Sequence, residues 1–325
     1  MESIEQIPIV LRIFETQKLV DEFPPNLYDS NKKIVYQIAC PPGSVHSGQL
    51  VLSRWNLMRL PYKVSFKNTQ VVFEGREDYF GYERDTSVVE WYLNFAHYDL
   101  FCAYGGGLFA QDEMQVAEHP ALGSLREALL ASGIEPLTVE NGKPTPILIK
   151  GVERRCAVST EPNPSQQRHF GLYGNNFAQA SEEAIKLATT PLNPPTLTNL
   201  IAMEAPACGR DFYTQDEIEY ILRTAFTGFS AAKIETKADE TVIHTGFWGC
   251  GAYGGNRVLM SLLQLIAAVM SQVDRLVFHT GSSGLEDFQR ACRILEEDLA
   301  SLPNIDSVIN KLTEMKFEWG ISDGN

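Results

Sequence analysis

Residues 241–271 read TVIHTGFWGCGAYGGNRVLMSLLQLIAAVMS: a β-branched apolar run, a turn dense in glycine, then a long apolar helix. A strand feeding a helix through such a turn is half of a βαβ unit, and it commits the chain to a sheet covered by helices. The pattern recurs. Strand-like runs at 199–206 and 275–280 flank this one, and helices are expected over about 214–227, 256–271, 284–300 and 304–315. The expected fold is α/β, a mixed or parallel sheet covered by helices on both faces.

The remaining segments fit that frame. VVEWYLNFAH, from residue 88, predicts a buried strand running into the glycine cluster YGGGLFAQDE. A helical stretch interrupted by Pro120 follows, then strands at Ile147–Lys150 and Arg155–Ser159. Ser181 is placed to cap the helix SEEAIKLAT, and Thr214 with Glu217 has capping-box spacing. Residues 1–85 are punctuated by Pro24, Pro25, Pro41, Pro42 and Pro61. They read as an N-terminal extension packed on the core, with short strands at Ile34–Ala39 and Val71–Phe73, and 86–325 as the main domain.

Charge narrows the function. With 27 basic and 41 acidic residues the chain carries −14, so polyanions such as nucleic acid and anionic membranes are not expected partners. The apolar run at Val258–Met270 is broken by Ser261 and Gln264 and is too short to span a membrane. The N-terminus MESIEQIPIV lacks the basic region of a secretory signal. Six widely spaced cysteines without a CxxC pair argue for a reducing compartment, hence the cytoplasm, and against structural zinc.

Two turns hold the chemistry. Five glycines within 246–255, ahead of a helix N-terminus, let backbone N–H groups approach an anion, most naturally a phosphate or diphosphate. The bland alternative is a tight turn. Gly249-Cys250-Gly251-Ala252-Tyr253-Gly254 also matches the dinucleotide fingerprint G-x-G-x-x-G. That reading wants an acid at the end of the next strand, and Asp274 precedes its strand. No Lys-Ser or Lys-Thr follows the glycines, so this is not a P-loop. In the second turn Gly105, Gly106 and Gly107 precede Gln111, Asp112 and Glu113. Adjacent acids at a helix start can simply balance its dipole. They can equally wrap a sugar, with one carboxylate on its hydroxyls and the other at the glycosidic bond.

Asp99 is a candidate third carboxylate. His97 and His119 flank the acids as acid–base groups or as structural side chains. Trp91, Trp248 and Phe247 are expected in the core, with Phe247 or Trp248 able to wall a nucleoside pocket. Cys250 reads as a small residue required by packing rather than a reactive thiol. No acid cluster has metal-ligand spacing, so neither metal nor cofactor is expected.

At these residues the chain resembles the poly(ADP-ribose) glycohydrolase branch of the macrodomain superfamily. WGCGAYGGN resembles that family's diphosphate loop WGCGAFGGD, and Leu259–Ala268 matches its LxxLxQxxAA helix. GGGLFAQDE resembles the catalytic GGG…QEE signature, and LNFAH (93–97) is similar to VDFAN. The likeness covers about 88–116 and 196–282. It implies a macrodomain-like fold, a mixed sheet sandwiched between helices, and, as partners, ADP-ribose and ADP-ribosylated protein. By the same likeness the diphosphate lies on Gly249, Cys250, Gly251, Ala252, Tyr253 and Gly254. Glu113 becomes the catalytic acid, and Asp112 acts on the ribose hydroxyls or the departing group. Asn94, Asp99, Gly105, Gly106, Gly107, Gln111 and Phe247 become substrate contacts. Only Leu108, Phe109 and Ala110 separate GGG from QDE, a shorter link than the family's. Similar short links occur in bacterial effector macrodomains that remove ADP-ribose from arginine. With the acidic charge, this favours mono-ADP-ribose on arginine over long polymer. A glycohydrolase acting on polymer and a non-catalytic ADP-ribose-binding module are the alternatives.

Overall fold

A computed structural model describes residues 6–67, 69–83, 85–237 and 240–324. In chain order the elements are β1 (Val10–Glu15), α1 (Thr16–Glu22), α2 (Ser30–Ala39), β2 (Gln49–Arg54), β3 (Val72–Arg76), β4 (Val89–Phe95), α3 (Gln111–Glu118), α4 (Ala121–Ala131), β5 (Val139–Glu140), β6 (Lys143–Pro144), β7 (Ile147–Val158), α5 (Asn176–Gln179), α6 (Glu182–Ala188), β8 (Thr189–Met203), α7 (Gln215–Thr236), β9 (Thr241–Gly246), α8 (Arg257–Ser271), β10 (Arg275–His279), α9 (Leu285–Ile294) and α10 (Ile305–Glu314). One eight-stranded sheet runs β1-β2-β7-β8-β4-β9-β10-β3. The pairs from β1 to β8 are antiparallel, and those from β8 to β3 are parallel.

Side-chain alternation along the strands builds two cores. Trp91 and Leu93 of β4 and Ile201 and Met203 of β8 point to the face covered by α7, α8, α9 and α10. Tyr92, Leu200 and Ala202 point to the other, against Leu19, Val116 and Leu122 of α1, α3 and α4. All six residues of β9 are buried, as a central strand covered on both faces requires. Helices on both faces are what the strand–helix alternation implied, and of the mixed or parallel sheet it left open the structure has the mixed one, as the family resemblance implied. No helix among the described residues is long and apolar enough to cross a membrane.

Several elements differ from the sequence reading. Ile34–Ala39 belongs to helix α2 and not to a strand. Its β-branched residues favour a strand only locally, whereas Asp29 caps the helix by accepting from Lys32 N at 2.9 Å, and Lys32, Val35 and Ala39 form its buried stripe. The two strands expected in 147–159 are one, bent by a bulge at Gly151, whose φ of +73° suits glycine. β8 runs on through the proline-rich stretch PLNPP. There its pairing with β7 jumps from Thr196–Arg154 to Pro191–Cys156, so residues 192–195, with Pro194 and Pro195, bulge out of the ladder and owe it no N–H. Gly228 does not end α7 near residue 227. It lets the helix lie close on β8, where any Cβ would strike the Met203 sulfur. Residues before 86 supply β1 and β2 at one margin of the sheet and β3 at the other.

Candidate active site

The parallel strands β8, β4, β9 and β10 end along one edge of the sheet, where α/β proteins hold ligands. β4 leads to the acids, β8 to Glu204 and β9 to the glycine loop.

Asp112 and Glu113 occupy the first turn of α3, where the helix dipole favours negative charge, yet they are only 7% and 5% exposed. Glu113 Oε2 accepts a 3.1 Å hydrogen bond from Ala110 N, which fixes the side chain and leaves Oε1 for chemistry. Asp112 Oδ1 accepts from Asn94 Nδ2 at 3.0 Å; the same amide donates to Gln115 Oε1 at 2.8 Å. Asn94 Oδ1 is buried with no partner among the described residues. Burial and the neighbouring Glu113 charge raise the Asp112 carboxyl to about 7. Gln111 is differently engaged. Its amide accepts from Phe95 N at 2.8 Å and donates to Leu93 O at 2.9 Å, pinning α3 to the end of β4.

The sequence reading missed a cation here. Lys32, on α2, is 2% exposed and donates to Tyr104 O at 2.9 Å, with its ammonium 5.3 Å from the Phe109 ring centroid and 5.7 Å from that of Phe177. Burial lowers it to about 8, and the charges of Glu113, Asp112 and Asp29 oppose that fall. A buried ammonium without anions would be far costlier, and here it offsets the acid pair. Tyr104 takes this ammonium on its backbone carbonyl, which gave no hint in the sequence.

Gly105, Gly106 and Gly107 permit close approach, but of the protein's own chain. Tyr28 N and Asp29 N both donate to Gly105 O at 3.1 Å. Added Cβ atoms at 106 and 107 would lie 2.9 Å from the Tyr28 hydroxyl and 2.8 Å from Ala178 Cβ. The short link after them is clasped by residues 170–174 through paired Phe109–Gly174 backbone bonds of 3.2 and 3.0 Å. Asp99 has both oxygens on Arg126, at 2.6 and 3.0 Å. The carboxylate beside the glycine loop is instead Glu204, which accepts from Tyr98 N at 3.0 Å and from the Tyr253 hydroxyl at 3.4 Å. Its position at the carboxyl end of β8 was the available signal. His97 Nδ1 accepts from Asp99 N at 3.2 Å. His119 is fully buried between Gln115 O and the Thr198 hydroxyl, and burial lowers it to about 3, a structural role.

The glycine loop folds on itself through Gly254 N to Gly251 O at 3.0 Å and Gly255 N to Gly249 O at 2.9 Å. Phe247 stacks under the Arg257 guanidinium, 4.8 Å from its centroid, and meets Phe278 edge-on. Trp248 is buried and donates to Met203 O at 3.0 Å. Burial pushes the Cys250 thiol above its ordinary value, the opposite of a reactive cysteine. Ala252 O receives the Cys208 thiol. The Tyr253 phenol is likewise raised, by burial first and then by the Glu204 and Asp112 charges. Gly249 has φ +74° and lies where a Cβ would be 2.5 Å from Ala205 Cβ. Gly249→Ala is therefore expected to cost about 1–3 kcal/mol in urea denaturation. An unchanged midpoint would contradict this packing.

A glycine loop at a helix start, facing buried acids across the carboxyl edge of a mixed sheet, defines an α/β protein of macrodomain type. Residues 147–287 match the family model described as poly(ADP-ribose) glycohydrolase (PARG), macro domain fold. The fold is that of a poly(ADP-ribose) glycohydrolase-like macrodomain. Among solved structures, poly(ADP-ribose) glycohydrolase from Thermomonospora curvata is similar at TM-score 0.50 and 15% identity, over 81% of this chain and 99% of that one. The same enzyme bound to the inhibitor ADP-HPD matches at TM-score 0.50 and 15% identity, over 80% and 98%. The Deinococcus radiodurans enzyme in complex with ADP-ribose matches at TM-score 0.43 and 13% identity, over 89% and 95%.

Proposed function

We propose that this chain is an ADP-ribosyl glycohydrolase that binds ADP-ribose through the loop Gly249–Gly254 and cleaves its bond to a modified protein, with mono-ADP-ribose on arginine the preferred substrate. The observation that carries the reading is the buried pair Asp112–Glu113 at the start of α3, beyond the end of β4, which neighbours the strand β9 that leads into the glycine loop. A loop that only bound ADP-ribose would not need two buried acids, because burying carboxylates is costly. The PARG family match over residues 147–287 supports the same class of reaction.

In this reading Glu113, through Oε1, protonates the departing guanidine nitrogen as the bond from the anomeric carbon breaks. The resulting carboxylate then takes a proton from the water that attacks that carbon, which restores the acid and leaves free ADP-ribose. Asp112, protonated near neutral pH, donates to a ribose hydroxyl while Asn94 holds it in place. Phe247 and the loop glycines contribute contacts to the nucleotide. The −14 charge supports a single ADP-ribose over a long polyanion.

Two substrates tested side by side separate the linkages. Arginine-linked mono-ADP-ribosylated protein is expected to release ADP-ribose faster than poly(ADP-ribose) does at equal ADP-ribose content. Faster release from polymer would reverse the assignment, and binding without turnover of either would make the chain a reader.

A further inference from the structure

Glu204 stands between the two halves of the site. It follows Met203, the last residue of β8, which pairs with Phe95 at the end of β4. Phe95 N is held by the side chain of Gln111, the first residue of α3. Glu204 therefore lies one strand over from the point where the helix that carries the acids is fastened. Its Oε1 accepts from Tyr98 N at 3.0 Å and from the Tyr253 hydroxyl at 3.4 Å, which ties it to the exit of β4 on one side and to the glycine loop on the other. Its Oε2 makes no hydrogen bond among the described residues. Tyr98 is itself fixed, because Thr138 N donates to Tyr98 O at 2.8 Å. The Tyr98 ring is 50% exposed and lies tilted on His97, with centroids 4.2 Å apart.

Three other carboxylates near this edge are already committed. Asp99 has both oxygens on Arg126. Asp112, raised to about 7, holds a proton near neutral pH. Glu113 accepts from Ala110 N through Oε2 and keeps Oε1 for the departing nitrogen. None of them is free to receive the planar cation that an arginine side chain brings. A guanidinium is held best by a carboxylate together with an aromatic face, and Glu204 and Tyr98 supply both.

We infer that Glu204, beside the exposed ring of Tyr98, receives the guanidinium of the modified arginine and so selects arginine as the side chain from which ADP-ribose is removed. This rests on the proposed reading of the chain as a hydrolase of arginine-linked ADP-ribose. Glu204 is half-buried, and burial raises its carboxyl above the ordinary value. An arriving cation offsets that cost, so substrate itself completes the ion pair.

The test is steady-state release of ADP-ribose from arginine-linked mono-ADP-ribosylated protein by the full chain, wild type, Glu204→Gln and Tyr98→Ala. Free ADP-ribose is titrated calorimetrically into each, which also shows that each is folded. Glutamine can still accept from Tyr98 N, so the first variant removes the charge and keeps the shape. Glu204→Gln is expected to raise KM by about 10- to 100-fold, the worth of a charged hydrogen bond, and Tyr98→Ala by about 2- to 5-fold. The Kd of free ADP-ribose, which has no guanidinium, should stay close to wild type in both. An unchanged KM in Glu204→Gln, whatever happens to kcat, overturns the guanidinium assignment and leaves the hydrolase standing. An unchanged KM in Tyr98→Ala takes the ring out of it. A Kd that rises as much as KM makes Glu204 a contact to ADP-ribose and likewise overturns the assignment. Failure of the wild type to release ADP-ribose from arginine-linked protein overturns it together with the reading it rests on.

Discussion

Glu113→Gln is expected to slow ADP-ribose release by about 10²- to 10⁴-fold, the usual worth of a positioned acid–base group. Binding of ADP-ribose should stay close to wild type. The substitution keeps the shape of the side chain, and the glutamine carbonyl can still accept from Ala110 N, so the first turn of α3 is not disturbed. What disappears is the proton carried to the leaving nitrogen and taken back from water. Single-turnover release and calorimetric titration of the same preparation check both halves. Undiminished release would remove Glu113 from the chemistry.

Asp112→Asn should act on stability with a pH dependence whose sign is fixed. The folded-state Asp112 carboxyl is raised to about 7 by burial and by Glu113, against an ordinary value of 3.8. Well below the ordinary value, at about pH 3 and under, folded and unfolded chains both hold the proton, and Asp112 costs nothing. As the pH climbs from about 3 to 7 the unfolded chain gives up its proton while the folded chain keeps it, so stability falls; above 7 the loss is complete. Asparagine never ionises and can still accept from Asn94. In urea denaturation the variant should match wild type near pH 3 and exceed it by about 2–4 kcal/mol at pH 8. Parallel stability curves for the two proteins would mean that Asp112 does not hold a proton in the folded state. The charge of Lys32 makes this a net figure, since it opposes the rise.

What could be read from the sequence was local. The β9–loop–α8 unit, the Ser181 and Thr214 caps and the acids in the first turn of α3 are each set by neighbours a few residues away, and the structure forms them where expected. Lys32 was invisible because it approaches the acids from a helix some 80 positions earlier, in a segment with no motif. Glu204 and Asp99 are alike in sequence, both acids beyond a strand; only the tertiary position of Arg126, which takes both oxygens of Asp99, separates them. The three consecutive glycines announced a close approach but not its partner, which is the Asn26–Asp29 backbone. β8 was obscured for a different reason. Prolines argue against a central strand, and this strand is central only in its second half. The path of the chain beyond α10 depends on the stack of Trp319 on Tyr213, residues over 100 positions apart, which no periodicity reports.

The central claim is that ADP-ribose lies on the glycine loop with its ribose toward Glu113. It is tested most directly by titrating ADP-ribose into isotopically labelled protein and following the amide resonances. Saturable one-to-one shifts concentrated at Gly249–Gly254 and at Gln111–Glu113 are the expected result. No shifts, or shifts confined to residues away from the carboxyl ends of β4, β8 and β9, would contradict it.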